Sequence, residues 1–211
     1  MKVLMLNGSS NKNGCTYTAL NEIGNVLEHQ GIEYEIYQLG GKPVKDCIGC
    51  NKCQGNGCIF SDNNVNEFVE KARNSDGFIF GSPVYFAHPS GRLLSFLDRV
   101  FYSCSKNHIY TPFVGKPGAA IVSARRGGTT ASIDVINKYF TIASMPIVSS
   151  TYWNMVHGQK PEDVLQDLEG LQTMRNIGTN MAWMLNCLRN PDNKPIQEPT
   201  LEVEHQTNFI R

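Results

Sequence analysis

Short apolar runs alternate along the chain with stretches whose apolar positions recur every three to four residues. "KVLMLNG" near the start is a continuous apolar run of the buried-strand kind. "TYTALNEIGNVLEHQG" sets Leu20, Ile23 and Leu27 on one helical face, with Gly31 placed to stop the helix. "EYEIYQL" alternates at period two, "GFIFGSP" and "GAAIVSA" are short and apolar, and "PIVSSTYW" is the fifth strand candidate. Between them "NNVNEFVEKARNSD", "SGRLLSFLDRVFYS" and "TTASIDVINKYFTIAS" each read as a helix. Strands separated by helices predict a parallel sheet covered on both faces, because a parallel pair needs a crossover connection. The expected fold class is α/β, with a doubly wound five-stranded parallel sheet. A helical pattern from Pro161 to Leu188 completes a single domain over residues 1–189, and a polar, proline-punctuated tail occupies 190–211.

Composition narrows the function classes. The chain has 211 residues, 41% of them hydrophobic, enough for one well-buried core and short for two. Nineteen Lys and Arg balance nineteen Asp and Glu, which leaves no net field to draw in nucleic acid or an anionic membrane. The expected partners are small molecules, with no nucleic acid and no membrane. No apolar run reaches transmembrane length, and the N-terminus turns polar too early for a signal-peptide core, so a cytoplasmic location is expected. In that reducing compartment an odd number of cysteines with a tight cluster points to metal or redox chemistry.

In doubly wound sheets ligands sit beyond the carboxyl ends of the strands. After the first strand, "NGSSNKNGCT" offers small residues, hydroxyls and amides leading into a helix N-terminus, which suits an anion. It carries neither the dinucleotide nor the Walker fingerprint, so the phosphate of a flavin mononucleotide fits better. A polar turn capped by Thr16 would look the same. After the third strand, "GSPVYFAHPSG" stiffens at Pro83 and places Tyr85 and Phe86 beside backbone amides and carbonyls, a combination that suits a planar heteroaromatic ring and equally a loop whose aromatics pack down on the sheet. After the fourth, "SARRGGTT" brings two glycines that admit close backbone approach, and Arg125 or Arg126 to meet a charge.

The remaining motif is "KDCIGCNKCQGNGC", in a cysteine-rich insertion at 43–60. Cys47, Cys50, Cys53 and Cys58 are spaced C-x2-C-x2-C-x4-C. Thiolates at two-residue spacing wrap one corner of an iron-sulfur cluster, and the intervening glycines supply the needed backbone freedom. A [4Fe-4S] cluster, a four-cysteine zinc knot and a loop of free thiols all remain open readings. Cys104 and Cys187 fall in amphipathic helices and are expected as buried small hydrophobes. Cys15 lies at a helix N-terminus, which would lower its pKa, and a small residue beside a phosphate explains it equally well. His88, His108 and Trp153 carry no functional assignment, and Met174, Met181 and Met184 are spaced as a packing face.

"GSSNKNGCT", "DGFIFGSPVYFAHPSGRLLSFLDR" and "ARRGG" together resemble the NADPH-dependent FMN reductase family of flavodoxin-like proteins, over residues 1–155. The cysteine spacing is similar to that of the iron-sulfur flavoproteins within it. Leu94 departs from the lysine that many relatives carry there. The resemblance implies a flavodoxin-like strand order 2-1-3-4-5. It also implies an FMN phosphate among Ser9, Ser10, Asn11, Asn13, Gly14, Cys15 and Thr16. Ser82, Pro83, Val84, Tyr85 and Phe86 would line the ring and ribityl region, with Ser123, Arg125, Gly127 and Gly128 on the ring's other side. Cys47, Cys50, Cys53 and Cys58 would be the metal ligands, and no side chain is required as acid, base or nucleophile. The implied activity passes electrons from NAD(P)H through FMN to a flavin or quinone, in a homodimer or homotetramer. The alternative is an electron carrier reduced by ferredoxin.

Overall fold

The computed structural model describes residues 1–53, 55, 57–60, 64–106, 109–189 and 204–205. His108 and the tail 190–211, apart from Glu204 and His205, lie outside the described residues. In chain order the elements are β1 (Lys2–Asn7), α1 (Cys15–His29), β2 (Glu33–Gln38), α2 (Asn64–Arg73), β3 (Gly77–Tyr85), β4 (His88–Pro89) and α3 (Gly91–Cys104). There follow β5 (Ser105–Lys106), β6 (Ile109–Tyr110), β7 (Gly118–Ala124), α4 (Thr129–Ile142), β8 (Met155–His157), α5 (Pro161–Val164) and α6 (Leu168–Leu188).

The main sheet runs β2-β1-β3-β7-β8, all parallel, and the short β4 pairs antiparallel to β3. Counting only the five parallel strands, the order is 2-1-3-4-5. Alternation within the strands divides the core between the two faces. Leu4, Leu6, Phe78, Phe80, Ala120 and Val122 pack with Phe68 of α2, Phe96 of α3 and Phe140 of α4. Val3, Met5, Ile79, Ala119 and Ile121 pack instead with Leu20 and Ile23 of α1 and Met174 and Ile177 of α6. Continuous apolar runs are what such strands require, since both faces are covered.

Two boundaries differ from the sequence expectation. "PIVSSTYW" contributes one parallel bridge, Ile147 to Gly118, and the strand itself forms later at Met155–His157. Between these points the chain leaves the edge of the sheet, and Tyr152 and Trp153 stand out from it, about half exposed. The helical pattern after Pro161 is also interrupted. Asp167 caps a separate α6 by accepting the Gly170 amide at 2.9 Å. Met174 and Met181 are fully buried as the spacing implied, whereas Cys187 is exposed and is not the core residue expected of it.

Candidate functional site

The loop after β1 is shaped from below by Asn7, which is fully buried. Its amide nitrogen donates to Gln38 Oε1 at 2.6 Å and to the Lys12 carbonyl at 3.4 Å, while its oxygen accepts from the Ser9 amide at 3.1 Å. The Ser9 hydroxyl in turn accepts from the Asn11 amide at 3.1 Å, and Gln38 Nε2 donates to the Ser9 carbonyl at 2.7 Å. The loop delivers the chain to α1 through Gly14, an N-cap with no side-chain hydrogen bond, and the first turn holds no acidic residue. The first amides of α1 therefore have no N-cap side chain and no acidic residue of the first turn to answer them, and they carry the positive end of the helix dipole. Thr16 is not the cap. It lies inside the helix, and its hydroxyl shares a 2.8 Å hydrogen bond with Ser123 Oγ, tying α1 to the end of β7.

A cleft of about 640 Å³ opens at this point, over the carboxyl ends of β1, β3, β7 and β8. Of the residues expected at the site, Ser9, Asn11, Asn13, Gly14, Cys15, Thr16, Pro83, Val84, Tyr85, Ser123 and Arg125 line it. Ser10, Ser82, Phe86, Gly127 and Gly128 do not. Ser82 is buried and structural: its hydroxyl donates to the Pro83 carbonyl at 2.8 Å and accepts the Ser90 amide at 2.9 Å. Phe86 and Ala87 form the two-residue turn between β3 and β4, both at positive φ (52° and 59°), and Phe86 projects fully exposed from the tip. Gly128 has φ 90° and caps α4.

Lys12, Ala124, Gly158, Gln159, Lys160 and Pro161 also line the cleft, and sequence reasoning missed them. The stretch 158–161 follows β8, so misplacing that strand hid the loop behind it. Cys15 is a correction as well. Burial pushes its thiol up, and Asp163 and Glu162 push the same way, outweighing the hydrogen bond from its own backbone amide. Its sulfur faces the Gly158 carbonyl at 3.7 Å.

A smaller cavity of about 260 Å³ lies beside the far edge of the sheet, lined by Thr129, Tyr152, Trp153, His157, Asp167 and Glu169 among others. The His157 amide donates to Asp167 Oδ2 at 2.6 Å, and the imidazole Nδ1 lies 3.6 Å from the same oxygen.

The cysteine-rich loop lies apart from both cavities, packed on α2 and α3. Cys58 exchanges two 2.8 Å hydrogen bonds with the Asn66 side chain, and Arg92 donates to the carbonyls of Lys42 and Gly41 at 3.1 Å each. Tyr102 donates to Asn51 Oδ1. Gly49, Gly55 and Gly57 all take positive φ. At Gly55 and Gly57 a Cβ would collide with Lys106 and Asn66, so the turns depend on glycine. Burial pushes the Cys53 thiol up, and the nearby Cys58, Cys50 and Cys47 add to the shift. Cys53 thus lies near enough to feel each of the other three, although among the described residues no three metal-ligating side chains converge on one ion. A cubane asks for something else: one thiolate at each of four corners, held apart across the cluster. The donor set and its spacing fit that group.

Comparisons with known proteins agree with the geometry. The family model described as NADPH-dependent FMN reductase matches residues 1–160. An iron-sulfur flavoprotein of Methanocaldococcus jannaschii is 33% identical over 196 residues, covering 90% of this chain and all of the relative. Another, of Methanosarcina thermophila, is 24% identical over 90% of this chain and 97% of its own length. Among solved structures, RosB with a bound formylriboflavin-phosphate intermediate superposes with a TM-score of 0.71 at 13% identity, covering all of this chain and 94% of that one. At that identity it shows the shared fold alone. With the family model spanning three-quarters of its length, the chain belongs to the NADPH-dependent FMN reductase family and, within it, to the iron-sulfur flavoproteins.

Proposed function

We propose that this chain is an FMN-dependent oxidoreductase that takes electrons from NAD(P)H and hands them to a small acceptor, a flavin or quinone, with a [4Fe-4S] cluster on the cysteine loop. The observation that carries the reading is the cleft at the end of α1. Amides without a side-chain cap, hydroxyls and the cations Lys12 and Lys160 meet there beside the apolar wall of Pro83 and Val84. That combination suits a phosphate at one end and a flat ring at the other. The phosphate would lie among Ser9, Asn11, Asn13, Gly14, Cys15 and Thr16. The ring would lie between Pro83, Val84 and Tyr85 on one side and Ser123 and Arg125 on the other.

Bound FMN supplies the chemistry, accepting a hydride and releasing electrons singly or in pairs. The chain's share is to bind, orient and shelter it. The Thr16–Ser123 hydrogen bond fixes the cleft floor, Pro83 and Val84 keep water from one wall, and exposed Arg125 offers a cation at the mouth. Cys47, Cys50, Cys53 and Cys58 would supply one thiolate to each iron of the cluster. A homodimer or homotetramer is the proposed assembly. Tyr85 and Phe86 beside the cleft, and Tyr152 and Trp153 beside the smaller cavity at the sheet edge, are exposed and offer apolar surface for it. Among the described residues no helix is long and apolar enough to cross a membrane.

The test is anaerobic mixing of the FMN-loaded protein with NADH or NADPH. The flavin absorbance is expected to bleach within the mixing experiment and to return on adding a quinone. Bleaching by a reduced ferredoxin with neither nicotinamide effective would make the chain a carrier, and would overturn the reading.

A further inference from the structure

Arg99 heads the fully buried side chains, at 1% exposure. It leaves α3 and ends beneath the cysteine loop. Its Nε and Nη2 each donate to Cys58 Sγ at 3.4 Å, and its Nη1 donates to the Lys45 carbonyl at 3.4 Å. The guanidinium carbon lies 5.1 Å from the centre of the Phe60 ring, which also receives the Lys45 ammonium at 5.3 Å. Arg99, Arg92 and Tyr102 all reach the loop from α3, and of these three Arg99 donates to a cysteine sulfur.

The fork is the geometric observation: two N–H groups of one guanidinium converge on a single sulfur. A neutral thiol is a weak acceptor, so a two-pronged donor aimed at one sulfur suits a sulfur that carries charge. A cluster-bound thiolate carries charge in both oxidation states of the cluster. Hydrogen bonds to a ligand sulfur favour the more negative, reduced state, and they are among the levers that set a cluster's potential. We propose that Arg99 is a positioning residue that raises the reduction potential of the cluster through its forked N–H···S contact with Cys58. The proposal rests on the cluster reading above. The step it affects is the gain of one electron by the cluster. No bond forms or breaks at Arg99, and no proton moves, because guanidinium stays protonated throughout the working pH range.

The experiment compares anaerobically reconstituted wild type with Arg99→Lys, which keeps the charge and loses the fork, and Arg99→Gln, which loses the charge. Iron, sulfide and FMN contents are measured first. Dithionite titration with redox mediators then reads the cluster midpoint by the EPR signal of the reduced form. The expected result is iron and sulfide within twofold of wild type in both variants, with the midpoint more negative in Arg99→Lys and more negative still in Arg99→Gln. If Arg99→Gln does not fold, Arg99→Lys decides alone. Unchanged midpoints in a variant that retains the cluster would overturn the proposal and leave the cluster reading intact. Variants that bind FMN but lose iron would reduce Arg99 to an anchor of the loop and overturn it too. Background iron in reconstituted wild type would sink the cluster reading itself, and the proposal with it.

Discussion

The Asp167 carboxylate, beside His157, raises the imidazole pKa above its ordinary value, against burial, which pulls the other way. Burial alone would raise Asp167, but His157 and the amides of Gly170 and His157 outweigh it and hold the carboxyl below the usual range. His157 binds its proton more tightly folded than unfolded. Its contribution to stability is therefore full below about pH 6.5, the unfolded value, and is lost as pH rises through the higher folded value. Asp167 runs the opposite way: its contribution is present above about pH 3.9 and lost as pH falls through the lower folded value. The pair therefore stabilises most between about pH 4 and 6.5. A histidine-detected NMR titration is expected to place the His157 midpoint above the ordinary value. Asp167→Asn, which can still cap α6, should bring it back towards about 6.5. A midpoint that does not move in that variant would assign the shift to Glu169 or another group. Nothing in the sequence joins these two residues, because the contact depends on where β8 ends and α6 begins. Phe86 was hidden for a related reason: its positive φ belongs to the β3–β4 turn, and a non-glycine residue gives no sign of it. The spacing of the cysteine quartet, by contrast, is local and stands in the sequence whatever the fold.

Among the elements, strand existence was easier to read than strand position. β1, β3 and β7 are buried on both faces, so continuous apolar runs mark them. β8 is a three-residue edge strand fixed by its partners Val122, Ser123 and Ala124, and the β-branched and aromatic run before it drew the assignment to 146–153, which ends before β8 begins. The neighbouring glycines of "ARRGG" illustrate how structure separates what sequence pairs. A Cβ on Gly128, at φ 90°, would sit 2.4 Å from the Ala87 Cα, between the α4 N-terminus and the β3–β4 turn, whereas a Cβ on Gly127 would meet nothing within 4 Å. Holding alanine at such a φ costs about 1–3 kcal/mol before any clash. Gly128→Ala is therefore expected to lower unfolding free energy by about 2 kcal/mol or more, and Gly127→Ala to stay within about 0.5 kcal/mol. Urea denaturation measures both. Equal effects at the two positions would mean that α4 and the turn do not pack as described.

In the whole molecule the cleft and the cysteine loop are built by different stretches of chain. The cleft is lined by residues from the ends of β1, β3, β7 and β8, while the loop is held by Asn66, Arg92, Arg99 and Tyr102 on α2 and α3. Perturbations at sites with no shared partner add, to within a few tenths of a kcal/mol. A ligand that binds only the folded chain stabilises it by about 2.7 kcal/mol at a hundred times its Kd. For a domain of this size that is a rise in Tm of roughly 5–11 °C. FMN is accordingly expected to raise the Tm of Cys50→Ser by the same amount as that of wild type, while the iron content of the variant falls to background because one corner of the proposed cluster would lose its thiolate. Paired anaerobic melts, with and without FMN, and an iron assay on the same samples decide the matter. A Tm rise that vanishes in Cys50→Ser would show that the loop helps to build the flavin site, through the fold or across a subunit interface. An unchanged rise with iron retained would show instead that Cys50 is not a ligand.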